Sequence, residues 1–573
     1  MELNVIKTMG YAGYHLIVAD YLNYGRMLGY LPSEEEVKDA PLSLEELDRY
    51  LTEKEYVRVG YNIGPGRGSA VGSLCCYLMG ITDIDPIPYN LFFERFLNVE
   101  RVSMPDIDSD FRTDIRDKVV DYCRAKYGKE CICQIMTKGY GATKGNLRLA
   151  ARYLASQAVA RKYEDPESEE SYEDEESGAG EEVLDAATKK DRVKELEDTQ
   201  RIWAKKADEL SKACDKDGNL PDTELEGDYK LIAELAETLD GVFTNYGQHA
   251  AGTIISSDDV TKIIPIMWND KKGSMETQCT MAQAEAKGLL KMDFLGLKNL
   301  DIITEIVRHP SRAVVKDFLK DAPDVYKKDM IKGVLDTTLQ DYVRRDEMLK
   351  DKNIFEKIFS AGNTQGVFQF ESPGMKKMLQ EFRPERFEDV ILLVAAYRPG
   401  PMDYIPEIVK QKWYEKGGCK GEEPKHSITI KNVDLDKILA STYHCPIYQE
   451  QIMQIFQQMA GYSLGGADLV RRAMSKKKMD VLAKEKETFI HGDPERNIPG
   501  AMTKQGLSEK EADDLFEQMM PFAKYGFNKS HATAYAMVSM FTAYLKLYHT
   551  ADFYRASLDA VKELAEIPEF VKD

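Results

Sequence analysis

The chain has 573 residues, of which 43% are hydrophobic and 10% aromatic, and it carries a formal net charge of −20 at pH 7. This length exceeds what one compact core supports, so we expect several domains. No apolar stretch reaches the roughly 18–20 residues that cross a bilayer, and the N-terminus shows no secretory signal pattern. The nine cysteines include no C-x-x-C pair, which argues against a zinc knuckle or a disulfide framework and predicts a reduced, cytoplasmic protein.

The negative charge is concentrated in one segment. Residues 164–182 contain eleven acidic side chains and no basic one, and without these acids the net charge would be −9. A run of this kind, with almost no apolar side chains, predicts a segment without stable structure. The net charge therefore does not decide whether the protein binds a polyanion, and local groups of bases must decide it.

The N-terminal part of the chain predicts helices around a glycine-rich loop. Helical periodicity over residues 1–30 predicts two helices, and the polar segment 31–58 predicts one helix that begins after Ser43. The glycine-rich loop leads into small residues that predict a helix beginning near Ser69. An amphipathic pattern predicts a further helix over residues 113–127.

The rest of the chain predicts helices interrupted by one region of strands. Residues 131–240 read as helical apart from the acidic run, whereas residues 243–300 contain short apolar, β-branched stretches typical of strands. From about residue 301 onward, helical periodicity dominates, and no internal repeat is found. The sequence thus predicts an α+β protein that is mostly helical.

One stretch places acids at every second position. Residues 103–111 read S-M-P-D-I-D-S-D-F, and a strand would turn Asp106, Asp108 and Asp110 to one face. Like charges in such a row repel, so the row is either a solvated acidic edge or a site for cations. Carboxylates are ligands that Mg²⁺ prefers, and Asp106 and Asp108 could hold two ions about 3.5–4 Å apart.

A further carboxylate for such a site is offered by Asp293, the acid within the apolar stretch L-L-K-M-D-F-L-G-L. Burying an acid is costly unless it is paired or bound to a metal, although a strand-end aspartate can also cap a turn. Lys291, two residues earlier, would share its strand face and could contact a phosphate.

The loop Gly64-Pro65-Gly66-Arg67-Gly68-Ser69 matches neither G-x-G-x-x-G nor G-x-x-x-x-G-K-[ST]. Glycines nevertheless let backbone N–H groups approach an anion, and a helix N-terminus would add a favourable dipole. Arg67 adds a forked donor suited to phosphate. The alternative is a plain tight turn before a helix; we favour a phosphate site.

Several other residues have both a functional and a structural interpretation. Arg95 could bind phosphate or neutralise nearby acids, and Arg398 closes an apolar run before a rigid turn. His249 and His531 are more typical of hydrogen-bonded structural histidines than of catalysts. The basic group V-R-R-A-M-S-K-K-K contains Arg471, Arg472, Lys476, Lys477 and Lys478, and could be a solvated helix face.

The run E-A-D-D-L-F at residues 511–516 resembles a clamp-binding peptide. It lies inside a helical pattern, so we predict that Leu515 and Phe516 are buried instead. Taken together, the acid set, the glycine–arginine loop and the basic helices predict phosphoryl transfer to a polyanionic substrate, by in-line attack of a hydroxyl on a nucleotide phosphate.

A series of long motifs then carries a resemblance to a known family. In chain order they include G-P-G-R-G-S-A-V-G-S-L, V-S-M-P-D-I-D-S-D-F, H-A-A-G, K-M-D-F-L-G-L, Q-G-V-F-Q-F-E-S-P-G-M, Y-R-P-G-P, Y-Q-E-Q-I-M and K-Y-G-F-N-K-S-H. From near residue 1 to about residue 560 the chain resembles the bacterial DNA polymerase III α subunits, the C family of DNA polymerases.

The resemblance implies a palm similar to that of polymerase-β-like nucleotidyltransferases, with a mixed sheet, an inserted helical thumb and large helical fingers. The implied segments are 1–130 and 241–305 for the two parts of the palm, 131–240 for the thumb with the acidic run, and 306–573 for the fingers. The family usually carries a PHP domain ahead of the palm and a clamp-binding segment beyond the fingers, so the resemblance implies a fragment.

The same resemblance implies roles for individual residues. Asp106, Asp108 and Asp293 would be the catalytic acids that hold two Mg²⁺ ions. The nucleotide would be held by Arg67, Gly68, Ser69, Arg95, Lys291, Arg398, Arg471 and Arg472. DNA would be contacted by Lys144, Arg148, Lys476, Lys477 and Lys478.

The implied activity is template-directed transfer of a deoxynucleotide from a dNTP to a primer 3′-hydroxyl, by two-metal catalysis, in bacterial chromosome replication. Primer–template DNA and dNTPs are the expected partners, with a sliding clamp and clamp loader in the full-length family, whose clamp site we expect to be missing here. Two alternatives remain open: a catalytically silent DNA-binding or assembly fragment, and an error-prone paralogue of the same family.

Overall fold

The structure is a computed structural model of the chain. It describes residues 1–31, 33–54, 61–100, 104–163, 186–215, 218–221, 225–270, 273–308, 342–418, 424, 426–476, 478–561 and 564–572. The acidic run 164–182 lies outside the described residues, as does the whole segment 309–341.

Six strands form one mixed sheet in the order β1-β6-β3-β2-β5-β4. Their bounds are β1 Asp108–Phe111, β2 Ile132–Tyr140, β3 Phe243–Ile255, β4 Ile266–Asn269, β5 Ser274–Thr277 and β6 Lys291–Gly296. The β1–β6 and β2–β5 pairs are parallel, and the other three pairs are antiparallel.

Helices make up most of the remaining described chain, which confirms the predicted mostly helical α+β class. Up to residue 308 the α-helices are Glu2–Thr8, Ala12–Met27, Glu34–Asp39, Leu44–Glu53, Leu74–Leu78, Arg116–Tyr127, Thr143–Tyr163, Ala186–Ala213, Gly227–Thr238, Met281–Glu285 and Lys298–Arg308. From residue 342 they are Tyr342–Leu349, Pro373–Phe382, Phe387–Ala396, Ile405–Glu415, Val433–Leu439, Gln449–Ile455, Leu464–Ser475, Met479–His491, Ala501–Gln505, Glu509–Tyr525, Lys529–Tyr548, Thr550–Asp559 and Ile567–Lys572. π-Helical segments span Ile354–Ser360 and Phe456–Ala460.

Three predictions about local structure were wrong. The polar segment 31–58 holds two helices rather than one, because Ser33 also caps a helix by accepting a hydrogen bond from the Glu36 backbone N–H. Residues 132–140, predicted as helical, form β2, since Ile132 and its apolar neighbours are buried within the sheet. The helix predicted near Ser69 begins at Leu74, after a short 3₁₀ turn at Gly68–Gly72.

Between β2 and β3, the described part of the chain forms three helices: Thr143–Tyr163, Ala186–Ala213 and Gly227–Thr238. They bury a small core of their own, formed mostly by leucine and alanine side chains. The insertion begins where the two strands come together, since the Gly141 N–H donates to the Val242 carbonyl at 2.8 Å and the Gly241 N–H donates to the Gly141 carbonyl at 2.9 Å. We call the two strands that carry the insertion the β2–β3 ribbon.

The C-terminal helical part packs directly on the sheet part. Its central helix, Lys529–Tyr548, is rich in alanine and other small residues and is buried along most of its length, as expected for a helix without a polar face. The helix approaches the 3₁₀ turn so closely that a side chain at Gly72 would come within 3.1 Å of the Ser530 Oγ atom. Among the described residues, no helix is long and apolar enough to cross a membrane.

Candidate active site

Three aspartates meet at one point of the sheet, two of them on the neighbouring strands β1 and β6 and the third on the segment that enters β1. Strand β1 runs parallel to β6 with Asp108 opposite Asp293, and Asp106 lies two residues earlier on the segment that enters β1. One carboxylate oxygen from each of the three residues lies within 4.8 Å of the other two. The structure therefore brings together the acids that the sequence singled out.

The acid cluster fits a divalent metal ion. Asp293 is only 4% exposed, and its Oδ1 atom is buried with no hydrogen-bond partner among the described residues. A buried polar atom without a partner costs roughly 1–3 kcal/mol, so an unpaired carboxylate oxygen at this place is best explained by a cation. Three carboxylates facing one point are also the hard oxygen ligands that Mg²⁺ and similar ions prefer.

Two basic side chains already offset part of the negative charge. The Lys291 Nζ atom lies 3.4 Å from a carboxylate oxygen of Asp106 and forms an ion pair with Asp293. Burial alone would lower the pKa of Lys291, but the hydrogen bond from Lys291 to Asp293 and the nearby acids raise it overall. Lys291 is therefore a fixed cation within the acid cluster.

Arg67 is the second cation, and it connects the acid row to the helical part. Its guanidinium lies 3.6 Å from Asp108 and 3.4 Å from Asp110, and its Nη1 donates a hydrogen bond to the Tyr535 hydroxyl at 3.0 Å. Burial raises the pKa of Asp108 to about 6, with a further rise from Asp293. Burial also raises the pKa of Asp110 to about 6, although Arg67 opposes the rise. Asp108 and Asp110 thus face the guanidinium of Arg67, and this part of the row is not a solvated edge.

The glycine-rich loop lies against the same acids. Gly68 adopts a left-handed backbone with φ of +68°, and a Cβ atom there would lie 3.2 Å from the Asp108 carboxylate. Its N–H donates to the His531 Nδ1 atom at 3.2 Å, so this donor is already used within the protein. Arg67 and Ser69 flank Gly68 next to the acids. A short 3₁₀ turn begins there, whereas the α-helix that we predicted near Ser69 begins only at Leu74.

Aromatic side chains from the helical part face this loop. The rings of His531 and Tyr535 lie 4.1 Å apart on helix Lys529–Tyr548, and the Arg398 guanidinium stacks 4.2 Å above the ring of Phe527. Burial, with Arg67 and Arg398 nearby, lowers the pKa of His531 to about 3. His531 is therefore neutral and carries its proton on Nε2, since Nδ1 accepts a hydrogen bond.

Sequence reasoning missed Tyr535 and assigned His531 only a structural role. The H-x-x-x-Y spacing was the available signal, because residues four apart lie on one face of a helix. His249, the other histidine considered, accepts hydrogen bonds through Nδ1 from the Gly252 and Ala251 N–H groups at 2.6 and 3.2 Å. This bonding confirms its interpretation as a hydrogen-bonded histidine.

A second group of cations joins the two parts of the molecule. Arg471 and Arg472 both form 2.8 Å ion pairs with Asp468, which is fully buried. Arg95 donates to the Gln449 side chain at 2.9 Å, and burial together with the nearby Arg471 lowers the pKa of Arg95 to about 10. These arginines are held by internal partners, and the structure does not bring Arg471 or Arg472 into hydrogen-bond contact with the acid cluster.

The bases predicted to contact DNA lie at the surface. Lys144 and Arg148 are exposed on helix Thr143–Tyr163, where Arg148 pairs with Asp208 at 2.7 Å. Lys476 and Lys478 are exposed between two helices, and Lys477 lies outside the described residues. The clamp-like run at 511–516 is helical, and its Leu515 and Phe516 are at most 2% exposed, which confirms that it is part of the core.

Comparison with protein families identifies the two halves of this arrangement. A family model described as the bacterial DNA polymerase III alpha NTPase domain matches residues 52–296, which contain the whole sheet. A second model, described as the bacterial DNA polymerase III alpha subunit finger domain, matches residues 328–497.

Curated relatives match along almost the whole chain. DNA polymerase III subunit alpha of Thermus aquaticus is 38% identical over 575 residues, covering 100% of this chain and 39% of the relative. The corresponding subunits of Xylella fastidiosa strain 9a5c and Aquifex aeolicus are 36% and 34% identical, over 98% and 100% of this chain. The chain spans only about two fifths of the length of these relatives. With both family models and the relatives in agreement, the chain belongs to the family of bacterial DNA polymerase III α subunits.

Proposed function

We propose that this chain is the catalytic core of a template-directed DNA polymerase, which transfers a deoxynucleotide from a dNTP to a primer 3′-hydroxyl in bacterial chromosome replication. The observation that carries the proposal is the convergence of Asp106, Asp108 and Asp293 beside the glycine–arginine loop. The relatives named DNA polymerase III subunit alpha support the same activity.

The acid cluster would hold two Mg²⁺ ions. Bound there, such ions activate the attacking hydroxyl and neutralise charge on the transferred phosphate. The chain's own contribution is to fix the three carboxylates: Asp293 is held within β6, and Asp108 is held in register opposite it on β1. Positioning of this kind is the main part of catalysis in phosphoryl transfer.

Basic side chains near the cluster would bind the triphosphate. Lys291 and Arg67 lie within 3.6 Å of the acids, so a phosphate held by the same metal ions would lie within their reach. Ser69 and the Gly68 backbone would approach from the loop. The rings of His531 and Tyr535 would contact the rest of the incoming nucleotide from the helical side.

We further propose that the division into palm, thumb and fingers applies to this chain. The sheet with its N-terminal helices would be the palm, and the three-helix insertion would be the thumb, which carries Lys144 and Arg148 toward DNA. The helices from residue 342 onward would be the fingers, and Arg95, Arg398, Arg471 and Arg472 would join them to the palm around the nucleotide. The sliding clamp and clamp loader remain predictions of the family resemblance.

Primer extension tests the proposal directly. With Mg²⁺ and all four dNTPs, the unmodified chain should lengthen a labelled primer, and with single dNTPs it should add only the one complementary to the template base. Binding of primer–template without any incorporation would instead identify a silent DNA-binding module. Frequent incorporation of mismatched nucleotides would identify an error-prone member of the family.

The glycine loop gives a prediction with a matched control. Gly68→Ala places a methyl group about 3.2 Å from the Asp108 carboxylate, so we expect it to displace this acid and to slow primer extension by about ten-fold or more, as misplacement of a reacting group does. Gly506→Ala is the control, because Gly506 has the same φ of +68° and open space around it.

Both substitutions cost stability, about 1–2 kcal/mol, because alanine disfavours the left-handed backbone. Only Gly68→Ala should also lower the extension rate at saturating dNTP. Equal extension rates in the two variants, measured at a temperature at which both are folded, would show that the close approach of Gly68 to Asp108 has no functional importance.

A further inference from the structure

The end of the β2–β3 ribbon carries a cluster of exposed aromatic side chains. Tyr140 is 58% exposed, Phe243 43% and Tyr246 59%. The rings of Phe243 and Tyr246 lie 4.6 Å apart, and those of Tyr140 and Phe243 lie 6.3 Å apart. We call these three residues the aromatic tip. Contiguous rings of this size are rarely left in water without a binding role.

The aromatic tip lies on the same strands that lead to the acid cluster. Strand β3 pairs with β6 at Gly252 opposite Asp293, and Thr253 of β3 pairs with Gln134 of β2. From Gln134, strand β2 runs six residues to Tyr140, which is about 20 Å at 3.3 Å per residue. The ribbon therefore extends from the acids to the tip, with irregularities in the pairing of β2 and β3 between Gln134 and Met136 and between Gly139 and Tyr140.

The order of strands in the sheet indicates whether the nucleotide or the primer lies next to the ribbon. The glycine loop lies beside β1, at one edge of the sheet, since Ile63 just ahead of the loop forms a bridge with Phe111 of β1. Arg67, His531 and Tyr535 face the acids from the same side. If the nucleotide binds on the β1 side of the acids, the primer terminus that attacks it must reach the acids from the β3 side. The ribbon extends on that side.

Basic side chains accompany the aromatic tip. Lys138 pairs across the ribbon with Tyr246, and the first turns of helix Thr143–Tyr163 expose Lys144 and Arg148 just beyond the tip. Aromatic rings next to cations are typical of surfaces that bind nucleic acid, because the rings can pack on the sugars of a duplex while the cations meet phosphates. An acidic protein surface would contact only the cations, and a purely apolar one would contact only the rings.

We propose that the aromatic tip binds primer–template DNA about four to six nucleotides behind the primer terminus. This spacing follows from the ribbon, because Lys138 and Tyr140 lie four and six residues beyond Gln134, or about 13 and 20 Å, and DNA advances about 3.4 Å per nucleotide along one strand. The inference rests on the proposed function, because the direction in which DNA leaves the acid cluster follows from the proposed polymerase reaction.

Binding of DNA hairpins of increasing length tests this proposal. Each hairpin carries the same single-stranded template end and a stem of 3, 6, 9 or 12 base pairs, closed by a flexible non-nucleotide linker. Affinity is measured without dNTP at one fixed salt concentration, because phosphate contacts depend on salt. For the unmodified chain we expect an increase in affinity of about ten-fold between 3 and 6 base pairs, where the DNA reaches the aromatic tip.

The triple variant Tyr140→Ser, Phe243→Ser and Tyr246→Ser should lose this increase and retain its affinity for the 3-base-pair hairpin. Trp268→Ser is the matched control. Trp268 is 58% exposed on β4, which is the edge strand of the sheet on the side away from β1. The double variant Tyr140→Phe and Tyr246→Phe should keep the increase, because the rings remain. Thermal unfolding shows whether each variant is folded, and single substitutions replace the triple variant if it is not.

The outcomes separate this inference from the proposed function. An unchanged increase in the triple or single serine variants overturns the role of the aromatic tip, as does failure of the unmodified chain to bind any hairpin. If the serine variants lose the increase and the unmodified chain does not extend primers, the tip is supported as a DNA contact. Only the proposed polymerase activity is then overturned.

Discussion

Replacing Asp293 by asparagine is expected to reduce primer extension by on the order of a thousand-fold or more, since metal ions contribute several kcal/mol to such reactions and each 1.4 kcal/mol is a factor of ten. Asparagine keeps the size of the side chain but removes the negative charge. Lys291 pairs with one carboxylate oxygen of Asp293, whereas the Oδ1 atom is buried with no partner among the described residues, so Oδ1 is the atom that a metal ion would bind.

Asp106→Asn and Asp108→Asn should reduce extension to a similar extent, because each supplies an oxygen within 4.8 Å of the other two acids. The control is Glu276→Gln, which removes a carboxylate that is also buried in the sheet, 5% exposed, but hydrogen-bonded to Asn269 on the neighbouring strand β4. We expect this variant to extend primers at close to the unmodified rate.

Binding of Mn²⁺ in the absence of DNA, followed by electron paramagnetic resonance, gives a second measurement. The asparagine variants should bind Mn²⁺ more weakly than the unmodified chain, and Glu276→Gln should bind it equally well. If Asp293→Asn still extends primers at the unmodified rate and binds Mn²⁺ equally, the three acids are not a metal site and the proposed chemistry is wrong.

Asp389→Asn is expected to lower the free energy of unfolding of the helical part by about 3–5 kcal/mol, the range found when one partner of a buried ion pair is removed. Lys412 is completely buried, with its Nζ atom 3.1 Å from the Asp389 carboxylate and 3.8 Å from the centre of the Phe382 ring. Asp389 also accepts a hydrogen bond from the Tyr443 hydroxyl at 2.9 Å. Its loss leaves a buried ammonium group without an opposite charge.

Urea unfolding measures this effect, with Asp403→Asn as the control, since Asp403 is an exposed acid whose replacement should change stability by no more than about 0.5 kcal/mol. Adding Lys412→Met to Asp389→Asn should restore much of the lost stability, because methionine fills the same space without a charge. A double variant less stable than Asp389→Asn alone would show that Lys412 stabilises the fold through Arg383 and Phe382 rather than through Asp389.

The sequence correctly predicted those helices in which the spacing of apolar residues indicates the buried face. The helix over residues 113–127 is found as Arg116–Tyr127 because Val119, Val120 and Tyr122 repeat with helical spacing and are buried. The burial of Leu515 and Phe516 followed from the same pattern. Strand β2 was missed because its residues from Ile132 to Met136 are all buried, and a short run that is apolar except for Gln134 does not alternate and so does not distinguish a strand from a helix.

The alternation and isolation of the acids were visible in the sequence, whereas their convergence was expected chiefly from the family resemblance. The alternation of Asp106 and Asp108 and the isolated position of Asp293 in an apolar run marked them as residues that need compensation. No sequence pattern specified that β1 and β6 lie side by side, because the pairing of strands 185 residues apart depends on the packing of the whole sheet part. The same holds for Tyr535, which reaches Arg67 across 468 residues.

By itself, the sequence of this protein determined its class, most of its helices and the residue types of a candidate phosphoryl-transfer site, because these depend on interactions between residues near in the chain or on chemistry that single side chains carry. Only the tertiary structure decided that Arg67 and Lys291 lie among the acids, that Gly68 donates to His531 rather than offering a free N–H, and that three aromatic rings lie exposed at the end of the ribbon. These features depend on contacts between distant segments, whose geometry follows from packing and not from local periodicity.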